Sequence, residues 1–158
     1  MWRGRNPGTQ GAKSMRGQIL LKGHKISRGK TRGEALVSNE PISFLSGVDP
    51  ETGYVIEKGH ELEGCRVTGK ILVFPTGKGS TVGSYRLYEM TLKGTQPAGI
   101  INVRADPVVA MGAIFSGIPM VDRLNADPFR FIKTGDVLEL DADQGTLIIQ
   151  DKLNNVEA

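Results

Sequence analysis

The chain has 158 residues, which is enough for one ordinary domain with a buried core and too short for two. Its single cysteine excludes a disulfide framework and any metal site built from several cysteines of this chain. No apolar run approaches the roughly 18 residues of a membrane-spanning helix, and the basic start lacks the apolar stretch of a secretory signal. We therefore expect a cytoplasmic protein with no membrane partner.

The net charge of +3 hides an uneven distribution. Residues 1–32 carry nine Lys or Arg and no acidic residue, whereas the other 126 carry eleven basic and seventeen acidic residues. No aromatic stacking platform is interleaved with this basic lead, so a solvated arm or a partner-binding edge is preferred to nucleic-acid binding. We expect a disordered lead over residues 1–14, one domain over residues 15–152 and a tail over residues 153–158.

Short apolar runs bounded by turn residues predict β-strands in the first half of the chain, at residues 18–26 with a break at Gly23 and at residues 33–38. Residues 39–53 hold two prolines and two glycines, which predicts a long structured loop of the kind that is usually functional. A brief strand is expected over residues 54–56. The continuous apolar run at residues 70–74 is typical of a strand covered on both faces.

Strands and helices alternate in the second half. Helical spacing relates four positions after residue 81, namely Val82, Tyr85, Tyr88 or Glu89, and Leu92. They predict a helix, and Gly94 suits its C-terminal cap. Strands are expected at residues 97–103 and 119–121, with a helix capped by Asp106 between them, which implies a right-handed parallel unit.

Residues 137–140 and 146–149, separated by a turn, predict a β-hairpin. The acidic turn residues Asp141 and Asp143 belong to this hairpin. The expected fold class is therefore α/β, with a parallel core joined to an antiparallel layer that both ends of the chain supply.

One candidate site emerges from the residues themselves, the sequence GKGST at residues 77–81. Gly77 and Gly79 can turn backbone N–H groups outward, and the helix start adds partial positive charge, which suits an anion or a developing oxyanion. The same field, with Lys78 adding to it, favours the deprotonated form of Ser80. The phosphate-loop pattern is not met, because Lys78 precedes the second glycine. The alternative that Ser80 or Thr81 only caps the helix stays open.

Other reactive side chains form no convincing site. A serine-hydrolase motif is missing, and the two histidines, His24 and His60, lie in basic or loop surroundings. His60 lies beside Glu61 and Glu63, a weak metal pattern, and we expect these side chains to be exposed and solvated. Cys65 is expected as a small buried side chain rather than a nucleophile. No metal site is expected in this chain.

Two stretches carry a family resemblance: GEALVSNEPISFLSGVDPETG at residues 33–53 and GKILVFPTGKGSTVGSY at residues 69–85. Followed in order by PAGIIN, DPVVAMGAI and IPMVD, they resemble the small, swivelling subunit of the aconitase X enzymes over residues 15–149. The resemblance implies a swivelling β/β/α domain that closes over a large subunit. It also implies an iron–sulfur cluster, expected to be of the [4Fe-4S] type, held by cysteines of that large subunit and not by this chain.

The resemblance further implies a hydro-lyase that is active only with its large subunit. In the superfamily a deprotonated serine of the swivelling domain removes the substrate proton, and that serine corresponds to Ser80. Residues expected to contact the substrate are Gly77, Lys78, Gly79 and Thr81, with Ser46, Gly47 and Asp49 from the long loop. The last three are equally expected as turn and cap residues of an ordered loop.

Aconitases follow the serine with a second serine and an arginine that grips a carboxylate, whereas Thr81 and Val82 stand here, which argues against citrate or isocitrate. The sequence GSTVGSY most resembles archaeal enzymes that dehydrate (R)-5-phosphomevalonate to trans-anhydromevalonate 5-phosphate in isoprenoid biosynthesis. The alternative substrate is cis-3-hydroxy-L-proline, whose dehydratases share GEALVS and GVDP. Alternatives of another class are a non-catalytic module that binds a phosphate-bearing ligand and, ranked last, nucleic-acid binding through the basic lead.

Overall fold

All the strands of this chain that a computed structural model describes, over residues 11–15 and 17–150, belong to one sheet. In chain order the elements are β1 (Lys13–Met15), β2 (Gln18–Lys22), β3 (His24–Ser27), β4 (Lys30–Val37), β5 (Ile71–Phe74), α1 (Gly83–Lys93), β6 (Gly99–Asn102), α2 (Pro107–Ser116), β7 (Met120–Asp122), α3 (Pro128–Phe131), β8 (Val137–Asp141) and β9 (Thr146–Ile149). None of these helices is long and apolar enough to cross a membrane.

The sheet has the order β1-β2-β9-β8-β4-β5-β6-β7-β3. Strands β4, β5, β6 and β7 are parallel neighbours, with Val37 opposite Val73 and Phe74 opposite Asn102 at their carboxyl ends. Strands β8, β9, β2 and β1 continue the sheet in antiparallel pairs. The predicted fold class is confirmed, because the two ends of the chain supply the antiparallel layer beside a parallel core.

Strands β5 and β6 are buried along their whole length and divide the core into two clusters. Leu72, Phe74 and Ile100 face the helices and the long loop, whereas Ile71, Val73 and Ile101 face the antiparallel layer. This alternation is what a strand covered on both faces requires, because successive side chains point to opposite sides.

Helix α1 forms where the spacing predicts it, but the apolar side chains at that spacing are exposed, namely Val82, Tyr85, Tyr88 and Leu92. Its buried side consists of Gly83, Ser84, Leu87 and Met90. The small residues let α2 approach closely: a Cβ added at Gly112 would lie 2.8 Å from Leu87 Cδ1 and 3.1 Å from Ser84 O. The contact between the two helices is therefore set by small side chains, and the large apolar ones remain on the surface.

Two expectations about element boundaries need correction. The strand predicted over residues 54–56 does not form; Tyr54 and Val55 make only isolated bridges, because each pairs with a single residue of a separate segment. Ordered structure also begins before Met15, since Lys13 pairs with Leu20 in an antiparallel ladder. Residues 1–10 and 151–158 lie outside the described residues, and the disordered lead and tail stay predictions there.

We expect Gly112→Val to lower the free energy of unfolding by about 1–3 kcal/mol, because the added methyl groups overpack the contact with Leu87 and Ser84. Urea denaturation measures the effect. The matched control is Ile114→Val on the same helix, where the side chain is 51% exposed and the change should stay within about 0.5 kcal/mol. Equal stability of the two variants would contradict the close approach of α1 and α2.

Candidate functional site

Three chain segments meet at the carboxyl ends of the parallel strands. Strand β5 leads into residues 75–82, here called the serine loop, and β4 leads into residues 39–53, the long loop. Strand β6 leads through residues 103–105 to Asp106, the N-cap of α2. Ligands of open α/β sheets bind at this edge, so the site lies where the fold predicts one.

The long loop pairs with the serine loop like a short parallel ladder. Ile42 bridges Gly77; its N–H donates to Thr76 O at 3.3 Å, and its carbonyl accepts from Lys78 N at 3.1 Å. Gly79, with a φ of +102°, allows close approach, since a Cβ there would lie 2.9 Å from Ser43 Oγ. The serine loop is thus fixed by backbone contacts on one side.

Ser43 is a site residue that the sequence analysis missed. It is 4% exposed, and its hydroxyl lies 3.2 Å from Ser46 Oγ. The Gly47 N–H donates to Ser43 O at 2.9 Å, which places Ser46 and Gly47 in the same tight turn. Only the Ser43–Ser46 spacing hinted at this turn, and nothing local indicated that the turn would touch Gly79.

Asp49, also expected near the substrate, is engaged in its own turn. One carboxylate oxygen accepts from Glu51 N and the other from Thr52 Oγ1, both at 3.0 Å. This geometry matches the turn-and-cap alternative for Asp49, whereas Ser46 and Gly47 reach the serine loop through Ser43.

Ser80 lies exposed one turn before α1. Its Oγ accepts from Val82 N at 3.2 Å and its carbonyl accepts from Gly83 N at 2.9 Å, so Ser80 organises the helix start. Among the described residues, the N–H groups of Gly79, Ser80 and Thr81 have no hydrogen-bond partner. Three successive unpaired N–H groups at a helix start suit an anion, and the Ser80 hydroxyl can keep its contact with Val82 N while they do so.

Two predicted contact residues are already engaged within the chain. The Lys78 ammonium donates to Glu57 Oε2 at 2.8 Å, which offsets the positive charge that it would otherwise lend to Ser80. The Gly77 N–H donates to Asp106 Oδ1 at 3.2 Å. Asp106 also accepts from Val108 N at 3.1 Å, as the predicted cap of α2. Asp106 therefore joins the serine loop to α2, a second role that the sequence did not reveal.

The expectation that His60 is exposed is wrong. The residue is 6% exposed, and its Nδ1 accepts from Leu62 N at 3.0 Å. The proton must then lie on Nε2, which donates to Pro41 O at 2.9 Å. Because both ring nitrogens bond to backbone groups, His60 braces the start of the long loop, an arrangement set by tertiary contacts.

Glu61, by contrast, is exposed and still anchored. The Ser38 hydroxyl, 2.8 Å away, holds the pKa of the Glu61 carboxyl below its ordinary value, with burial opposing the shift and the N–H groups of Asn39 and Glu40 adding to it. These bonds tie the end of β4 to the segment that carries His60 and so fix where the long loop begins.

The site has no metal ligands of its own within the residues described. No group of three or more His, Cys, Asp or Glu side chains there is arranged to hold a metal ion. The one cysteine, Cys65, is partly buried against the core. Since an iron–sulfur cluster is held by several thiolates, these residues do not fit such a group.

Comparisons with known proteins agree on one family. A family model described as the aconitase X swivel domain matches residues 20–149. The phosphomevalonate dehydratase small subunit of Methanocella arvoryzae is 56% identical over 129 residues, 82% of this chain and 98% of that protein. The protein of the same name from Thermococcus sibiricus is 49% identical, over 84% of this chain and 100% of that protein. The crystal structure of Thermococcus kodakaraensis aconitase X in its holo form matches with a TM-score of 0.79 and 50% identity, over 82% of this chain and 97% of that chain.

We expect Asp106→Ala to lower the free energy of unfolding by about 0.5–2 kcal/mol through loss of the helix cap, and also to speed hydrogen exchange at the Gly77 amide. The matched control is Asp127→Ala, which removes the N-cap bond of α3 to Phe129 N. Its effect on Gly77 exchange should be nil. Unchanged exchange at Gly77 in both variants would show that Asp106 does not hold the serine loop.

Proposed function

The chain belongs to the aconitase X swivel-domain family, and from this premise we propose that it is the small subunit of a two-subunit phosphomevalonate dehydratase. The enzyme would act in the mevalonate route to isoprenoids. Support comes from relatives of that name that match this chain over 98% and 100% of their own lengths. Their likeness thus extends over the whole domain rather than a shared fragment.

The observation that carries the proposal is the placement of Ser80. It stands on a backbone held by β5, by Ile42 and by Asp106, yet its hydroxyl faces solvent with one internal donor, Val82 N. A group whose only task is capping needs no such support from three elements. A fixed loop with an open hydroxyl is what a base that acts on a substrate bound elsewhere requires.

In the proposed reaction 5-phosphomevalonate loses water to give trans-anhydromevalonate 5-phosphate. The C–H bond beside the carboxylate breaks and its electron pair forms the new double bond. The C–O bond on the next carbon breaks, and the hydroxyl group that leaves takes up one proton from solvent to become water. We assign the removal of the first proton to Ser80 in its deprotonated form, and the same hydroxyl releases that proton to solvent before the next turnover.

The serine loop supplies the charge that such a base needs. The positive end of α1 and the Val82 N–H both stabilise an alkoxide at Ser80. We propose that the free N–H groups of Gly79 and Thr81 bind a substrate oxyanion, because they have no partner in the described chain. Val82 offers no charge for a second carboxylate, which fits a substrate unlike citrate.

The large subunit must supply what this chain does not. The iron–sulfur cluster that the family implies does not fit the described residues, and we propose that the large subunit holds it. The large subunit is also needed to bury Ser80. Ser80 is solvent-exposed in the isolated chain, and water competes for an alkoxide until the site is closed. The small subunit alone should therefore be inactive.

Ser80→Ala in the two-subunit complex tests the assignment. We expect kcat for phosphomevalonate dehydration to fall by about 10²–10⁴-fold, because a positioned general base is lost, while the complex still assembles. The assay follows formation of the unsaturated product. The matched control is Ser116→Ala, which removes a hydroxyl at the end of α2 and should leave kcat unchanged.

Two outcomes would contradict the proposal in different ways. Near-wild-type turnover of Ser80→Ala would remove Ser80 as the base and favour a ligand-binding loop. A wild-type complex that dehydrates cis-3-hydroxy-L-proline and leaves phosphomevalonate unchanged would overturn the substrate but keep the role of Ser80.

A further inference from the structure

Helices α1 and α2 carry a group of exposed apolar side chains, here called the helix face. Its members are large side chains with high exposed fractions: Val82 51%, Tyr85 67%, Tyr88 45%, Leu92 71%, Met111 45%, Ile114 51% and Phe115 56%. Val82, Tyr85, Met111 and Phe115 line one groove, and Tyr88 lies beside Tyr85 and Phe115. Single exposed apolar residues are ordinary, but several of them around one groove mark an interaction surface.

The helix face carries almost no charge. Helix α2, with the sequence PVVAMGAIFS, has no charged residue in its ten positions. The charged residues of α1 bond to one another and to the long loop: Arg86 and Lys93 both bind Glu89, at 3.1 and 2.9 Å, and Lys93 also binds Glu51. The charges of α1 are thus matched within the chain, and the surface between them fits an apolar partner.

A groove of about 390 Å³ runs along this face and reaches the serine loop. Its lining includes the aromatic side chains of Tyr85 and Phe115, and also Thr81 and Val82, which follow Ser80 directly. Tyrosine and other aromatic side chains in such positions are typical of the central contacts of protein interfaces. The groove is therefore continuous with the site at which the substrate must meet Ser80.

We infer that the helix face is the docking surface for the large subunit, which would fill the groove with apolar side chains. The inference rests on the proposed function, since Ser80 must meet a substrate pocket of the large subunit. A large subunit that brings its substrate pocket to Ser80 must approach the serine loop. The groove of the helix face is lined by Thr81 and Val82, the two residues that follow Ser80. Docking there also shields Ser80 from water, which its chemistry requires.

A second copy of this chain is the other candidate occupant. A symmetric contact through the helix face would cover Thr81 and Val82 and obstruct the approach to Ser80. Self-association on this face and access of the large subunit to Ser80 therefore exclude each other. Since the proposed function needs the large subunit to reach Ser80, the large subunit is the occupant of the helix face.

Site-specific cross-linking tests the inference in the assembled enzyme. Phe115 is replaced by the photoreactive p-benzoylphenylalanine in the small subunit, which is co-expressed with the large subunit and irradiated. The expected product is a covalent adduct of the two different subunits. The control carries the same residue at Gln144, an exposed position in the β8–β9 turn at the far end of β4, and should yield no adduct. An adduct of two small subunits, or no adduct from Phe115, would overturn the inference.

Dissociation of the complex provides a second measurement. Tyr85→Glu and Phe115→Glu place a charge on exposed positions, so the fold should be kept, as circular dichroism can verify. Each should weaken association with the large subunit by about 10–100-fold, measured by mass photometry on dilution, whereas Gln144→Glu should not change it. Unchanged association would overturn the inference. If the complex carrying p-benzoylphenylalanine at position 115 cross-links, but the wild-type complex leaves phosphomevalonate unreacted, the proposed function alone would be overturned.

Discussion

The site depends on one constraint: the serine loop must be fixed in position while the Ser80 hydroxyl stays open to a second body. Three supports provide the fixation. Strand β5 delivers the loop from the buried sheet, Ile42 pairs with its backbone, and Asp106 accepts the Gly77 N–H while it caps α2. Each support holds backbone and none occupies the hydroxyl. The sheet, the long loop and α2 therefore all converge on one exposed atom.

The same arrangement fits the proposed division of functions between two subunits. The described chain offers a hydroxyl, free N–H groups and a helix dipole, while the nearby Lys78 charge is offset by Glu57. In the proposed function such a site would take the substrate proton only once a partner excludes water from it. The proposed closure over a large subunit provides burial, and the apolar helix face offers a surface over which that closure can occur without exposing unpaired charge.

Much of this could be predicted from sequence, because it is encoded locally. The buried run that forms β5, the Gly94 cap of α1 and the Asp106 cap of α2 each follow from a few neighbouring residues. What sequence did not reveal depends on contacts between distant segments. Ser43 approaches Gly79 only because the long loop folds back, and His60 is held by a hydrogen bond to Pro41 O, which lies 19 positions earlier in the chain. The apolar spacing in α1 predicted a helix correctly, but spacing cannot tell whether the apolar side chains are buried or exposed.

The central claim is that Ser80 becomes the base when a partner closes over it. The most direct measurement is a structure of the two-subunit complex with an unreactive phosphomevalonate analogue. We predict that Ser80 Oγ lies within about 3–3.5 Å of the carbon beside the carboxylate, on the side of the proton to be removed and out of contact with solvent. A different side chain at that carbon, with Ser80 still in solvent, would rule out Ser80 as the base.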